Sequence, residues 1–151
     1  RGLGDVYQRP VLVGYSAISH DLSVSVFLMY FACIFWTLFY DTIYALQDIK
    51  DDTLIGVKST AILFGKKIKN WLFLFIILFS SLLIISILLT NNVDNYLRIT
   101  IFFIGMGILI FHLIFQIKNL NVSSSISALE TFKSNRNSGF IVVLTLIGIS
   151  I

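Results

Sequence analysis

Residues 71–90 read WLFLFIILFSSLLIISILLT, a run without a single charged side chain. An α-helix needs about 20 apolar residues to cross the hydrocarbon core of a bilayer, so this stretch predicts a transmembrane helix. Residues 22–46 and 97–116 are also apolar and long enough to span. A fourth apolar stretch begins near Ser138 and continues to Ile151. The sequence therefore predicts about four membrane spans.

The composition of the whole chain also indicates a membrane protein. Of the 151 residues, 57% are hydrophobic and 13% are charged, whereas soluble domains have about 45–50% apolar and about 25% charged residues. We predict an all-α, polytopic transmembrane helical bundle that forms one membrane domain over residues 1–151. The segment Val11–Ile18 is too short to span and predicts a partial N-terminal helix, while residues 1–10 are unplaced. The net charge is +3, and the basic residues are spread over loop ends rather than grouped in one block. This pattern indicates no nucleic-acid partner.

Basic residues predict the orientation of the spans. The loop 47–70 contains five lysines and the loop 117–137 contains three basic residues, whereas the turn 91–98 contains only Arg98. By the positive-inside rule, both basic loops lie on the cytoplasmic side, and richness in Ile, Asn, Lys and Phe favours a bacterial inner membrane. Within the second loop, the stretch 123–135 is either a short amphipathic helix or a plain solvated loop.

Four of the eight acidic residues cluster at the end of the first full span, at Asp41, Asp48, Asp51 and Asp52. Carboxylates at membrane depth or at the mouth of a bundle are costly and suggest a functional site. On one continuous helix, Asp41, Asp48 and Asp52 would lie within about 40° of one another, with Tyr44 about 60° to one side. Asp51 would join that face only if the helix had already unwound.

This cluster has two interpretations. Carboxylate oxygens suit a hard cation such as magnesium, which is commonly held between one or two carboxylates and substrate phosphates. Lys58, which follows the flexible Gly56, could then contact a phosphate as a point charge. In the alternative, the acids of DIKDD form only a polar loop that ends the helix. Asp41 fits that alternative poorly, because it interrupts an apolar run.

Residues 40–65, YDTIYALQDIKDDTLIGVKSTAILFG, closely resemble the second aspartate-rich region of the UbiA superfamily of membrane prenyltransferases. The elements YDT, YA, D, DD, G and KSTA follow the order found in its ubiquinone-pathway branch, which uses 4-hydroxybenzoate as acceptor. Residues 128–139, ALETFKSNRNSG, are similar to the segment that precedes the last helix of that branch. The resemblance runs from about residue 14 to the end of the chain.

The resemblance implies half of a nine-helix bundle whose polar cavity opens to the cytoplasm. It also implies transfer of a polyprenyl group from polyprenyl diphosphate to the ring of 4-hydroxybenzoate, with Mg²⁺ as cofactor. The diphosphate leaves, the ring carbon ortho to the hydroxyl attacks the allylic cation, and a ring proton is lost. Polyprenyl diphosphate, 4-hydroxybenzoate and the lipid bilayer are thus the implied partners.

The same resemblance assigns roles to four acids, one tyrosine and one lysine. Asp51 is the neighbouring acid that assists or replaces Asp52. The residues that match metal ligands of the family are Asp48, Asp51 and Asp52. Those that match its catalytic residues are Asp48, Asp52 and Lys58. Those that match substrate contacts are Asp41, Tyr44 and Lys58.

One feature of the family has no counterpart here. Members carry an earlier aspartate-rich motif of the NDxxDxxxD type, and residues 1–40 contain nothing similar. We therefore predict that the chain is the C-terminal half of such an enzyme, from a truncated gene, a split gene or a partial sequence. Without an N-terminal half that carries the first motif, it is predicted to be inactive or nearly so.

Other functions compete with this interpretation. Other branches of the family take menaquinone precursors or haem as acceptors, and a structural membrane subunit would need no site. A transporter fragment could use the acids to bind a transported cation. Transporters typically place ion sites near the bilayer midplane on broken helices, whereas three of these acids lie at a helix end in a basic loop. That position favours the enzyme.

Overall fold

The computed structural model describes residues 23–89 and 96–150, and within these ranges it contains helices and no strands. The long helices are α1 (Val24–Ala45), α4 (Ile68–Leu89), α5 (Tyr96–Asn119) and α6 (Ser125–Ser150). The connection between α1 and α4 contains α2 (Ile49–Ile55), α3 (Thr60–Phe64) and a 3₁₀ turn (Gly65–Lys67). The predicted all-α class is confirmed. The predicted partial helix Val11–Ile18 and residues 1–10 lie outside the described residues.

Three segments of the described chain are long and apolar enough to cross a membrane. They are α1, the stretch Thr60–Leu89 and α5. They correspond to the spans predicted at 22–46, 71–90 and 97–116. The second is longer than predicted because α3 and the 3₁₀ turn extend it towards the N-terminus. Gly65, with a φ of 46°, permits the change of direction between α3 and α4.

The structure corrects the prediction for residues 117–137. This segment is not a continuous loop, because α6 begins at Ser125 and runs without a break into the fourth apolar stretch. Of the two alternatives for residues 123–135, the plain loop is wrong. The first half of α6 is polar and charged, and α6 is not among the three segments apolar enough to span. Packing against neighbouring helices stabilises such a mixed helix more than intrinsic propensity does.

The long helices pack as two pairs. α1 packs chiefly on α4, and α5 packs chiefly on α6, while α1–α6 and α4–α5 contacts join the pairs. Between α1 and α4, the buried hydroxyl of Ser86 donates a hydrogen bond to the carbonyl oxygen of Ser25 at 2.6 Å. Interhelical hydrogen bonds of this kind supplement van der Waals packing inside a bilayer. The largest fully buried side chains of the core include Phe39, Phe102, Ile43, Leu72 and Leu109.

Two polar contacts fix the register of α6 against α5. The Gln116 side-chain amide donates to the Ser134 hydroxyl at 2.5 Å, and the His112 Nδ1 and Ser138 Oγ atoms lie 3.0 Å apart. The two contacts are one helical turn apart on each helix, so they form a ladder between antiparallel neighbours. A shift of α6 by one residue would break both contacts. The ladder therefore determines which α6 side chains face α1.

The close approach of α5 to α6 gives a testable prediction. A Cβ atom added to Gly105 would overlap the side chain of Thr145, with 2.6 Å to its Cγ2. Because overpacking forces helices apart, we expect Gly105→Ala to lower the free energy of unfolding by about 1–3 kcal/mol. Thermal unfolding followed by circular dichroism in lipid nanodiscs measures this change.

Gly107 on the same helix is the matched control, because an added Cβ would have no atom within 4 Å. Gly107→Ala is expected to leave stability unchanged or to raise it by up to about 1 kcal/mol, since alanine favours the helix. Equal destabilisation by both substitutions would contradict the close approach at Gly105.

Candidate functional site

The helix that carries Asp41 does not continue to the other acids. α1 ends four residues further on, and a turn separates it from α2. In that turn the N–H of Leu46 donates to the carbonyl oxygen of Ile43 at 3.2 Å. Donor and acceptor are three residues apart instead of four, so the last turn is tighter than an α-helix and the helix ends there. The predicted face shared by Asp41, Asp48 and Asp52 on one continuous helix is therefore wrong.

The other three acids lie together at the start of α2. Asp48 is the N-cap residue, and Asp51 and Asp52 are in the first turn. The carbonyl oxygen of Asp48 accepts the N–H of Asp52 at 2.8 Å. Residues three and four positions apart are neighbours on a helix surface, so Asp51 and Asp52 both adjoin Asp48. The break after α1 therefore separates these three acids from Asp41.

The carboxylates of α2 are the type of ligand that a hard divalent cation prefers. Asp48 and Asp51 are exposed and Asp52 is half-buried, so their oxygens are open to waters and to phosphate oxygens. Within residues 23–89 and 96–150, no group of three or more acidic, histidine or cysteine side chains is arranged to hold a metal ion. Magnesium commonly takes only one or two carboxylates and completes its shell with water and phosphate. The metal-binding role of Asp48, Asp51 and Asp52 stays a prediction.

The end of α2 determines where Lys58 lies. Gly56 adopts a left-handed conformation with φ 75° and ψ 22°, which glycine accepts without steric cost. The N–H of Val57 then donates to the carbonyl oxygen of Asp52 at 2.9 Å and closes the helix end. Lys58 follows two residues later in the short link to α3 and is exposed. A cation thus follows the acidic helix directly.

Aromatic residues connect the end of α1 with α6. The ring centroid of Tyr44 lies 4.9 Å from that of Phe132, and the Tyr40 ring lies 6.1 Å from the same residue. Trp36, Tyr40 and Tyr44 are four positions apart and so line one side of α1. Asp41 is exposed on the same helix. Of the two predicted substrate-contact residues on α1, the structure places Tyr44 against α6.

Several residues that the structure brings together had no predicted site role. An open groove of about 580 Å³ separates the aromatic side of α1 from the polar half of α6. Lys133 and Arg136, two of its residues, were interpreted only as markers of orientation. The aromatic residues at every fourth position of α1 were a signal that could have located this groove. Its lining residues are Trp36, Tyr40, Phe132, Lys133, Asn135 and Arg136.

These features define a polytopic helical membrane protein with a carboxylate-bearing helix between two spans and a cationic, aromatic groove beside it. A sequence model of the UbiA prenyltransferase family matches residues 4–135. The chain belongs to the UbiA prenyltransferase family, as the resemblance predicted. The match includes residues 4–10, for which the sequence analysis found no counterpart.

Individual relatives are more than a third identical to this chain over the aligned residues. The mitochondrial 4-hydroxybenzoate polyprenyltransferase of Dictyostelium discoideum is 38% identical over 146 residues, and the Homo sapiens protein of the same name is 37% identical over 147 residues. Both alignments cover 96% of this chain, but 30% and 38% of the respective relatives. The 4-hydroxybenzoate octaprenyltransferase of Francisella tularensis subsp. novicida is 35% identical over 147 residues. This alignment covers 94% of this chain and 48% of the relative. The chain therefore spans less than half the length of these relatives. No solved structure matches it.

Proposed function

We propose that this chain supplies the second aspartate-rich half of a magnesium-dependent aromatic polyprenyltransferase. The observation that carries the proposal is the acidic helix α2, on which Asp48 and Asp52 adjoin one turn apart, followed directly by exposed Lys58. The names of the relatives support 4-hydroxybenzoate as acceptor and a polyprenyl diphosphate as donor. The reaction would then be a step of ubiquinone biosynthesis.

The residues of this half have separate tasks in the proposed reaction. Asp48 and Asp52, assisted by Asp51, would hold Mg²⁺, which when bound neutralises charge on the diphosphate leaving group. Lys58 contacts the same diphosphate and stabilises its developing negative charge. Asp41 and Tyr44 face the reacting groups from α1. The aromatic face of Tyr44 suits the positive charge that develops on the allylic carbon.

The site is proposed to lie at the membrane surface that carries the basic loops. Exposed Lys66 and Lys67 follow the acidic helix, and exposed Lys118 lies at the end of α5. Under the positive-inside rule, these loops face the cytoplasm, or the corresponding matrix side in a mitochondrion. The bacterial inner membrane stays a prediction, because mitochondrial and bacterial relatives match over similar lengths of this chain.

Prenyl transfer in membranes tests the proposed function. The chain is expressed alone, or together with the N-terminal half of the Francisella tularensis subsp. novicida relative, which is expected to supply the first aspartate-rich motif. We expect no prenylated 4-hydroxybenzoate from the chain alone, and magnesium-dependent product from the pair. The split Francisella enzyme, with both of its own halves expressed separately, is the control for assembly of two halves.

The outcomes separate the alternatives. Transfer by the chain alone would confirm the chemistry and contradict the requirement for a second half. Transfer to a menaquinone precursor or a haem acceptor, without transfer to 4-hydroxybenzoate, would assign the chain to another branch of the family. Failure with every acceptor, while the split Francisella control is active, would contradict the proposed enzyme.

A further inference from the structure

A second cavity lies between α5 and α6, near the C-terminal end of α5. It is open, has a volume of about 240 Å³ and is lined by four residues from each helix, of which seven are polar. It shares no residue with the groove between α1 and α6. Cavities that hold drug-sized ligands have volumes of about 300–1,000 Å³, so this polar pocket suits a smaller polar group.

The polar pocket contains a carboxylate and no strong cation. Glu130 lines it and is exposed, and among the described residues that line it there is no lysine or arginine. Within the described part of the chain, Glu130 forms no ion pair. Lys133, three positions further along α6, lines the groove instead. An unpaired carboxylate at the mouth of a membrane bundle favours a cationic ligand.

The side chain of Gln116 adds negative potential to the polar pocket. It is 5% exposed, its amide nitrogen donates to the Ser134 hydroxyl, and its carbonyl oxygen has no hydrogen-bond partner. Ser134 donates its own proton to the carbonyl oxygen of Thr131 at 2.8 Å, so it must accept from the Gln116 nitrogen. The partial negative charge of the unpaired oxygen is strong in a medium of low dielectric constant. It therefore favours a nearby cation without direct contact.

An apolar surface borders the same pocket. Phe115 lines the pocket and is 56% exposed, and Phe111, one turn earlier on α5, is 72% exposed. α5 is one of the three segments that are long and apolar enough to cross a membrane. Exposed phenylalanines along such a helix suit contact with lipid chains, and a ring face also attracts an ammonium group. The pocket thus joins an acceptor-rich site to an apolar surface.

The polar pocket lies at the level expected for lipid headgroups. Asn119, which lines it, is the last residue of α5, and Lys118 beside it is exposed. Lys118 is three positions after Phe115, so the two are neighbours on the helix surface. A lysine at the end of a membrane span attracts lipid phosphate groups. A negative pocket next to a lysine matches the two opposite charges of a zwitterionic headgroup.

We propose that the polar pocket binds the primary ammonium group of a zwitterionic lipid of the phosphatidylethanolamine type. The ammonium pairs with Glu130 and packs against the ring of Phe115, while the phosphate lies towards Lys118. A trimethylammonium headgroup binds less well, because it has no N–H to donate to the carboxylate. Lipid binding here does not depend on the proposed prenyl transfer, since the pocket contains no residue of the acidic helix.

Lipid retention by the purified chain tests this site. The 151-residue chain in a mild non-ionic detergent is titrated with phosphatidylethanolamine or with phosphatidylcholine of the same acyl chains, and native mass spectrometry measures the lipid-bound fraction. We expect phosphatidylethanolamine to bind about tenfold more tightly. Glu130→Gln should weaken its binding by about tenfold, because a charge-assisted hydrogen bond is lost. Helicity should be unchanged, since glutamine keeps the size of the side chain.

Asp51→Asn is the matched control, because it removes an exposed carboxylate outside the polar pocket and changes the net charge equally. It should leave lipid binding unchanged, and an excess of free ethanolamine should not displace the lipid. Equal binding of the two lipids, or equal effects of Glu130→Gln and Asp51→Asn, would overturn the proposal. Displacement by ethanolamine would replace the lipid by a soluble amine. Tighter binding of phosphatidylglycerol would show that lysines such as Lys118, and not the pocket, select the lipid.

Discussion

Asp48→Asn is expected to lower the rate of prenyl transfer by about a thousandfold in membranes that contain this chain and an N-terminal half. The carboxylate of Asp48 is exposed at the start of α2 and adjoins Asp52 one turn away. A neutral amide is a poor ligand for magnesium, and loss of metal-assisted charge stabilisation costs several kcal/mol, with about 1.4 kcal/mol for each tenfold in rate. The measurement is the initial rate of product formation over a series of magnesium concentrations.

The substitution is chosen so that the fold stays intact. Asp48 is the N-cap of α2 but makes no side-chain capping hydrogen bond, and asparagine is an equally good N-cap residue. Asp52→Asn should have a comparable effect. Asp51→Asn is the comparison, with an expected loss of about tenfold or less if Asp51 assists Asp52 and a loss like that of Asp48→Asn if it replaces Asp52. Normal activity of Asp48→Asn at low magnesium, with unchanged helicity, would remove Asp48 from the metal site.

Lys58→Gln is expected to lower kcat/KM for the polyprenyl diphosphate by about 30- to 100-fold. Lys58 is exposed in the link between α2 and α3, two residues after the left-handed residue Gly56. Loss of a charged hydrogen bond to a phosphate costs about 1.5–3 kcal/mol, and part of this loss should appear in kcat because charge on the leaving group grows in the transition state. Steady-state kinetics over a range of donor concentrations, at saturating 4-hydroxybenzoate, separate kcat from KM.

Lys66 provides the matched control for this prediction. It is an exposed lysine in the 3₁₀ turn beyond α3, eight residues from Lys58. Lys66→Gln should change kcat/KM by less than about twofold, because surface charges away from a site contribute little. Lys58→Arg should recover part of the activity, since it restores a positive charge. Similar losses in Lys58→Gln and Lys66→Gln would indicate a general effect of loop charge and would contradict a specific diphosphate contact.

The fold class and most of the spans could be predicted from the sequence because a bilayer imposes a simple local constraint. A stretch such as 71–90 must be helical in hydrocarbon, whatever its neighbours are, because only a helix satisfies the hydrogen bonds of its backbone N–H and C=O groups within the segment. The acidic cluster, though not its separate helix, was also visible, because several carboxylates in twelve positions and the string at 40–65 are local in the chain. The family followed from that string, and the sequence comparison confirms it.

Features that depend on contacts between distant segments of the chain were visible only in the tertiary structure. The sequence pattern from Asp41 to Asp52 is compatible with one helix, but the helix ends after Ala45, and this break separates Asp41 from the three acids of α2. Residues 123–135 are polar enough for a loop, yet hydrogen bonds from α5 to Ser134 and Ser138 hold them in a long helix. The groove depends on that register, because Phe132 meets Tyr44 only when α6 is continuous.

The sequence by itself thus determined three of the four predicted membrane spans, the acidic motif and the family, since hydrophobicity and motif spacing are properties of single segments. Only the tertiary structure shows which helix each helix face packs against. It alone therefore shows the groove that brings Arg136 of α6 near Tyr40 of α1. The physical reason is that residues almost a hundred positions apart have no common local pattern. They become neighbours only when buried side chains and interhelical hydrogen bonds select one packing of the helices.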